Sequence, residues 1–183
     1  DMMHIFRRDY DHAPDVIAYP TNEEQIAAVY DWCGENNYAC IPFGGGSSVT
    51  GGFWTPEEDE YNGSVIIDLG NLNKVLEGDE ASQCALIQGG TLGPSLENQL
   101  KPHGLTLRHI PQSWEFSSLG GWIATRGSGH YATHLTHIDD MVESLRMVTP
   151  AGVIENRRLP GSGAGPDPDR LLIGSEGTMG IIT

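Results

Sequence analysis

Positive charge is scarce in this chain. Ten Lys plus Arg stand against 25 Asp plus Glu in 183 residues, a net charge of −15. Nucleic-acid binding needs a basic footprint, so that class is excluded. An anionic membrane surface would repel the chain as well. Cysteine is scarce too: Cys33, Cys40 and Cys84 are the only three, with no C-x-x-C spacing. A disulfide framework and a thiolate metal site are thereby disfavoured. The cysteines read as small buried hydrophobes in a reducing compartment. No apolar run reaches transmembrane length. No charged-then-apolar signal region opens the chain, so the cytoplasm is the expected location. The chain lacks a G-x-S-x-G elbow, a Ser-His-Asp order and a nucleophilic Cys context, which disfavours independent hydrolase chemistry.

Glycine is plentiful, with 24 residues, alongside 11 prolines. They follow no period, so collagen-like and low-complexity readings fail. Many turns between short strands are expected instead. "DVIAYP" reads as a strand. "TNEEQIAAVYDWCG" reads as a helix, with Thr21 as N-cap, Glu24 completing a capping box and Gly34 at C′. Ile26, Val29, Tyr30 and Cys33 form its apolar stripe. "YACIPF" is the next strand, giving a βαβ unit with parallel strands. "SVIIDLG" is a third. Beyond it come the strand "CALIQGG", a helix in "TLGPSLENQLKPHG" with Leu92, Leu96 and Leu100 on one face, and extended "LTLRHIP". "MVESLRMVTPAGVIEN" is a hairpin turning at Pro150, Ala151 and Gly152. "DRLLIGSEGTMGIIT" is a short helix, a glycine turn and the start of a strand.

The stretch "IPFGGGSSVTGG" carries the chemistry. It has no lysine, so it is not a Walker A loop. Neither glycine register fits G-x-G-x-x-G, and no helical pattern follows. Consecutive glycines still let backbone N–H groups converge as an anion nest, with Ser47 and Ser48 adding hydroxyls. A plain glycine-rich turn is the competing reading of this stretch alone. Two later segments share its character: "PQSWEFSSLGGWIATRGSG" and "IGSEGTMGII".

These three segments, in this order, resemble the flavin-binding segments of the vanillyl-alcohol-oxidase, or PCMH-type, FAD-binding domain. The branch they resemble holds alkyldihydroxyacetonephosphate synthases and bacterial FAD-linked oxidases. The resemblance runs from about Pro14 to the end. It implies an α+β fold in two lobes: a small βαβ lobe over 14–70 and a larger, mainly antiparallel lobe with flanking helices over 71–183. Residues 1–13 are a lead-in. A C-terminal cap domain lies outside this chain, which stops in mid-strand and is expected to be a piece of a longer protein.

The resemblance also implies site residues. Pro42, Phe43, Gly44, Gly45, Gly46, Ser47, Ser48 and Val49 match the loop that wraps the FAD pyrophosphate. Pro111, Gln112, Ser113, Ser117 and Ser118 match a segment along the flavin and ribityl chain, continuing into Gly120 and Gly121. Thr125, Arg126, Gly127 and Ser128 match a second loop near the pyrophosphate and flavin. Glu176, Gly177, Gly180, Ile181 and Ile182 match the adenosine side. The related synthases tend to carry an acid where Gln112 stands. Many members attach flavin through His or Cys near the first loop, which offers neither, so non-covalent FAD is expected. An aspartate at Gly45 should block FAD by facing the diphosphate.

The expected function is the FAD-binding part of an oxidoreductase that passes hydride from a hydroxy acid or alcohol to flavin. The alternatives are exchange of an acyl for an alkyl group on dihydroxyacetone phosphate, with no net redox change, and a stand-alone flavin module. A small-molecule substrate is implied, the catalytic residues are unassigned, and a homo-oligomer stays open.

Other features have blander readings. His130, His134 and His137 with Asp139 and Asp140 lack a metalloprotease glutamate, so a loop is expected rather than a metal site, with His130 near the flavin as an intermediate reading. "PEEDE" lacks the calcium-loop pattern and reads as a solvated charge run. Trp114 and Trp122 read as core, with a place for Trp114 at the cofactor cleft left open. Arg126 pairs with a phosphate or with a surface carboxylate, and the sequence leaves both open.

Overall fold

The computed structural model describes residue 6 and residues 13–55, 60–130, 137–158 and 165–183. Strand β1 (Val16–Ala18) leads into helix α1 (Glu23–Asn36), β2 (Ala39–Phe43) and β3 (Ser64–Asp68). All three strands are parallel, in the order β1-β3-β2. Val16 and Cys40 both lie opposite Val65. The βαβ unit forms as expected, but β3 slots between its two strands. β3 is the apolar one, buried through its first four residues, and so takes the centre.

The ends of α1 differ from the sequence expectation. Asn22, not Thr21, is the N-cap, and its side chain accepts from the Gln25 N–H at 2.9 Å. Thr21 instead donates its own N–H to Gln25 Oε1. Gly34 lies inside the helix. Asn37 takes the left-handed position, with φ 55°, because asparagine tolerates that region better than other non-glycine residues. Ile26 and Cys33 are buried, and Val29 and Tyr30 pack against the cluster that holds Ile26.

Strand β4 (Val75–Asp79), which the sequence pattern did not reveal, pairs antiparallel with β5 (Cys84–Ile87). Helix α2 (Gly93–Leu100) has Pro94 in its first turn and runs through a 3₁₀ turn (Lys101–His103) to left-handed Gly104. Leu96 and Leu100 are buried, whereas Leu92 sits at the N-cap and is exposed. "LTLRHIP" forms no strand, and Arg108 within it has φ 57°. Helix α3 (Leu119–Ala124) was also unforeseen. The hairpin β6 (Arg146–Thr149) and β7 (Gly152–Glu155), the helix α4 (Asp169–Leu172) and the strand β8 (Ile181–Ile182) all form as read. The sheet order is β7-β6-β8, antiparallel throughout. The fold is thus mixed α+β, with a parallel sheet and two small antiparallel sheets.

Two apolar clusters hold these pieces together. One gathers Leu96, Leu100, Trp122, Met147, Leu172 and their neighbours. The other joins Ile26, Ile67, Leu69 and Leu72 to Val148 and Ile181, so α1 packs on both the parallel sheet and the β6–β8 sheet. The Cys33 and Cys40 thiols lie in this region. Burial raises the Cys33 thiol and pushes Cys40 up to about 12, which keeps both protonated at neutral pH. Among the described residues, no helix is long and apolar enough to cross a membrane.

Candidate functional site

The three glycine-rich segments meet. They line one cleft of about 440 Å³. Of the residues nominated from sequence, all but Gln112 and Arg126 line it. The end of β2 sets the first wall. There the chain must fold back over Phe43, and Gly46 does this at φ 62° with the Phe43 ring directly beneath, where a Cβ would collide. Gly45 lies so close to the next segment that a Cβ would overlap the Phe116 carbonyl. Phe43 and Phe53 meet edge to face, with centroids 6.0 Å apart, and both border the cleft.

The backbone donors decide what the cleft can hold. Among the described residues, the N–H groups of residues 44–49 donate to no protein acceptor. The amides that open α3 are already committed: Leu119 donates to Thr91 O, Gly120 to Gly89 O, and Gly121 to Ser118 Oγ. Unclaimed donors therefore sit on the glycine loop rather than at the helix end. Such a row of amides suits an anion, and small residues let it approach.

Charge is nearly absent from the lining. Among the described residues, Glu176 is the one ionisable side chain on the lining, and no cation joins it. Arg126 is occupied elsewhere. Its Nε donates to Ile173 O and its Nη2 to Arg170 O, each at 3.1 Å, and its Nη1 lies 3.5 Å from Asp139. Arg126 thus engages two backbone carbonyls and the largely buried Asp139 carboxylate. Gln112 is exposed and off the cleft.

Of the two tryptophans, Trp122 borders the cleft, whereas Trp114 packs against the core and on Gly93. Trp122 donates its indole N–H to Ser117 Oγ at 2.6 Å, and Ser117 donates on to Ser113 O. This chain fixes the wall formed by residues 113–118.

Among the described residues, no His, Cys, Asp and Glu group is placed to hold a metal. His134 lies outside the described residues, as do 56–59 of the acidic run. His130 is exposed and does not line the cleft. Thr50, Gly52, Phe53, Leu69 and Ala124 line the cleft without having been nominated. Thr50 and Gly52 lie within the quoted glycine stretch and were within reach of its reading. Leu69 carries no local signal, because only the tertiary fold brings the end of β3 there.

A flavin dinucleotide fits these features. Its diphosphate needs several donors without bulk, its ring needs flat apolar walls, and its sugars need polar partners. Family comparison agrees. A family model described as "FAD binding domain" matches residues 14–157. An alkyldihydroxyacetonephosphate synthase from Dictyostelium discoideum is 40% identical over 183 residues, covering 100% of this chain and 30% of that protein. A mitochondrial D-lactate dehydrogenase (cytochrome) from Arabidopsis thaliana is 33% identical over 172 residues, covering 93% of this chain and 29% of that protein. A solved structure of an alkyldihydroxyacetonephosphate synthase superposes with a TM-score of 0.91 at 41% identity, over 100% of this chain and 33% of that one. The chain thus spans about a third of the length of these relatives. It belongs to the FAD binding domain family, and its cofactor is FAD.

Proposed function

We propose that this domain is the FAD-binding part of an alkyldihydroxyacetonephosphate synthase-type enzyme, which exchanges an acyl for an alkyl group on dihydroxyacetone phosphate with no net redox change. The observation that carries this reading is the extent of the match. Similarity to the Dictyostelium synthase runs through the whole chain, at higher identity than to the Arabidopsis dehydrogenase. The order of the two readings drawn from sequence is therefore reversed.

In this proposal the amides of residues 44–49 hold the diphosphate. Ser113, Ser117 and Ser118 lie along the ribityl chain and flavin. Thr125 to Ser128 close one side, with Arg126 acting through its grip on Asp139 and on the carbonyls of Arg170 and Ile173 rather than on a phosphate. Glu176 to Ile182 form the adenosine side. Attachment is non-covalent, since the first loop offers neither His nor Cys. When bound, the isoalloxazine supplies the electron chemistry, while the protein binds and orients it. Side chains beyond this domain complete the substrate site.

Hydroxy-acid oxidation is the second reading. The dehydrogenase match supports it, and so does Gln112, which lacks the carboxylate that the related synthases tend to carry there. One experiment separates the two. The full-length protein, loaded with FAD, is given acyl dihydroxyacetone phosphate and an alkyl alcohol, and separately D-lactate or glycolate without oxygen. Release of the fatty acid with formation of the alkyl ether supports the synthase reading. Bleaching of the flavin by the hydroxy acid, without exchange, overturns it.

A further inference from the structure

We propose that Asn62 is a site of spontaneous covalent modification, where the Gly63 amide nitrogen displaces ammonia from the side chain and leaves aspartate or isoaspartate. The site lies away from the cleft and stands apart from the cofactor and the reaction.

Three observations carry it. Attack by a backbone nitrogen on the side-chain carbonyl of the preceding residue is hindered by a Cβ, and glycine has none. Among the asparagines of the chain, Asn62 alone precedes glycine. Second, the attacking nitrogen is unengaged. Among the described residues, the Gly63 N–H donates to no protein acceptor. Its neighbours are committed: the Asn62 N–H donates to Asn37 O and the Ser64 N–H to Asp15 Oδ2, each at 2.8 Å. Asn62 itself is exposed, so water reaches the site. Third, the fold holds the glycine in place. A Cβ on residue 63 would lie 2.6 Å from the Tyr38 ring and 2.8 Å from Asp15 Oδ2. The packing that seats β3 beside β2 therefore retains the reactive pair.

The step balances without an oxidant. The bond from Gly63 N to Asn62 Cγ forms, the Cγ–Nδ2 bond breaks, and ammonia leaves with the amide proton. Water then opens the cyclic imide. Opening at the side-chain carbonyl gives aspartate. Opening at the main-chain carbonyl gives isoaspartate, with an extra methylene in the backbone just before β3.

Both products undo the work of Asn62. Its Nδ2 donates to Asn36 O at 2.9 Å, at the C-terminal end of α1. A carboxylate there loses the donor and faces the negative end of the helix, whose last turn holds no basic residue. Ala39, which donates its N–H to Gly63 O at 2.9 Å, is the next contact along this seam.

The test incubates folded, full-length protein for several days at mildly alkaline pH and maps its peptides by mass spectrometry. A methyltransferase selective for isoaspartate, with a labelled methyl donor, identifies the isomer. Asn71 and Asn73 are the comparison. Both are exposed and donate Nδ2 to a backbone carbonyl, but residues with a Cβ follow them. Acid should appear at residue 62 about tenfold faster or more, a difference of about 1.4 kcal/mol in barrier. Formation at residue 62 no faster than at Asn71 and Asn73 overturns the proposal. Asn62→Asp, made directly, should speed hydrogen exchange at the Ala39 amide about tenfold. Asn62→Gln should keep its amide through the same incubation. Exchange at Ala39 unchanged by Asn62→Asp would overturn the loosening of the seam.

Discussion

The Arg146 guanidinium grips both carboxylate oxygens of Glu23, with Nε to Oε1 and Nη2 to Oε2 at 2.7 Å each. Thr183 Oγ1 adds a third donor to Glu23, and Glu155 takes the remaining face of Arg146. The pair ties the first turn of α1 to β6, 123 residues away in sequence. It lies beside the apolar cluster those elements share. The hydrogen bonds from Arg146 hold the Glu23 carboxyl below its ordinary value of 4.5. A depressed acid stabilises the fold above its unfolded pKa and loses that contribution as pH falls through the folded one. Both side chains are partly exposed, which limits the effect. Glu23→Gln should cost about 1 kcal/mol at pH 7. Urea midpoints of variant and wild type should converge as the pH falls below 4.5 and through the lowered value. A constant gap across that range would show that the ion pair is not the cause.

The Trp122–Ser117 bond yields a second prediction. Both residues are 3% exposed. Ser117→Ala leaves the indole N–H buried without its acceptor, at a cost of about 1–3 kcal/mol. Ser117→Thr keeps the hydroxyl and should recover most of it if the added methyl fits. Thermal unfolding of the two variants checks this. Equal stability of Ser117→Ala and wild type would mean that the indole finds another acceptor.

Local pattern made much of this fold legible. The α1 stripe, the hairpin and the closing Leu-Leu-Ile-Gly segment each carry their signal within a dozen residues. What stayed hidden depends on distance. β4 is half exposed and, among the described residues, pairs only with β5, so "VLEGD" shows no clean alternation. α3 begins with Leu-Gly-Gly, a poor helix start by propensity. It forms because Thr91 O, Gly89 O and Ser118 Oγ receive its first amides, and the first two of these acceptors belong to a remote turn. The cleft divides in the same way. Its glycine loops were visible as motifs. Leu69 and Trp122 join the lining only once β3 and α3 are folded, and the outward commitment of Arg126 needed Asp139 and α4 to be in place.

Gly34 offers a stabilising change. It sits inside α1, and a Cβ added there would meet nothing within 4 Å. Glycine inside a helix costs about 1 kcal/mol relative to alanine. Gly34→Ala should therefore stabilise by about 0.5–1 kcal/mol, seen as a higher urea midpoint with an unchanged slope. A loss of stability would contradict Asn37, rather than Gly34, as the residue that ends the helix.

The final prediction concerns the glycine loop, where structure changes the choice of variant. Gly45→Asp would collide with Phe116 before meeting any ligand. It would lower stability and affinity together and so say little about the diphosphate. Ser47 is the better position. It is exposed, it lines the cleft, and among the described residues its side chain makes no hydrogen bond. Ser47→Asp places a carboxylate beside the unclaimed amides of residues 44–49. That carboxylate competes for the amides and repels the diphosphate, a combined effect of about 1–3 kcal/mol. FAD affinity should fall about tenfold or more, while flavin-free thermal stability stays within about 0.5 kcal/mol of wild type, as for ordinary surface changes. Flavin fluorescence titration and a melting curve on the same full-length preparations give both readings. Ser47→Asp binding FAD as tightly as wild type would move the diphosphate away from this loop.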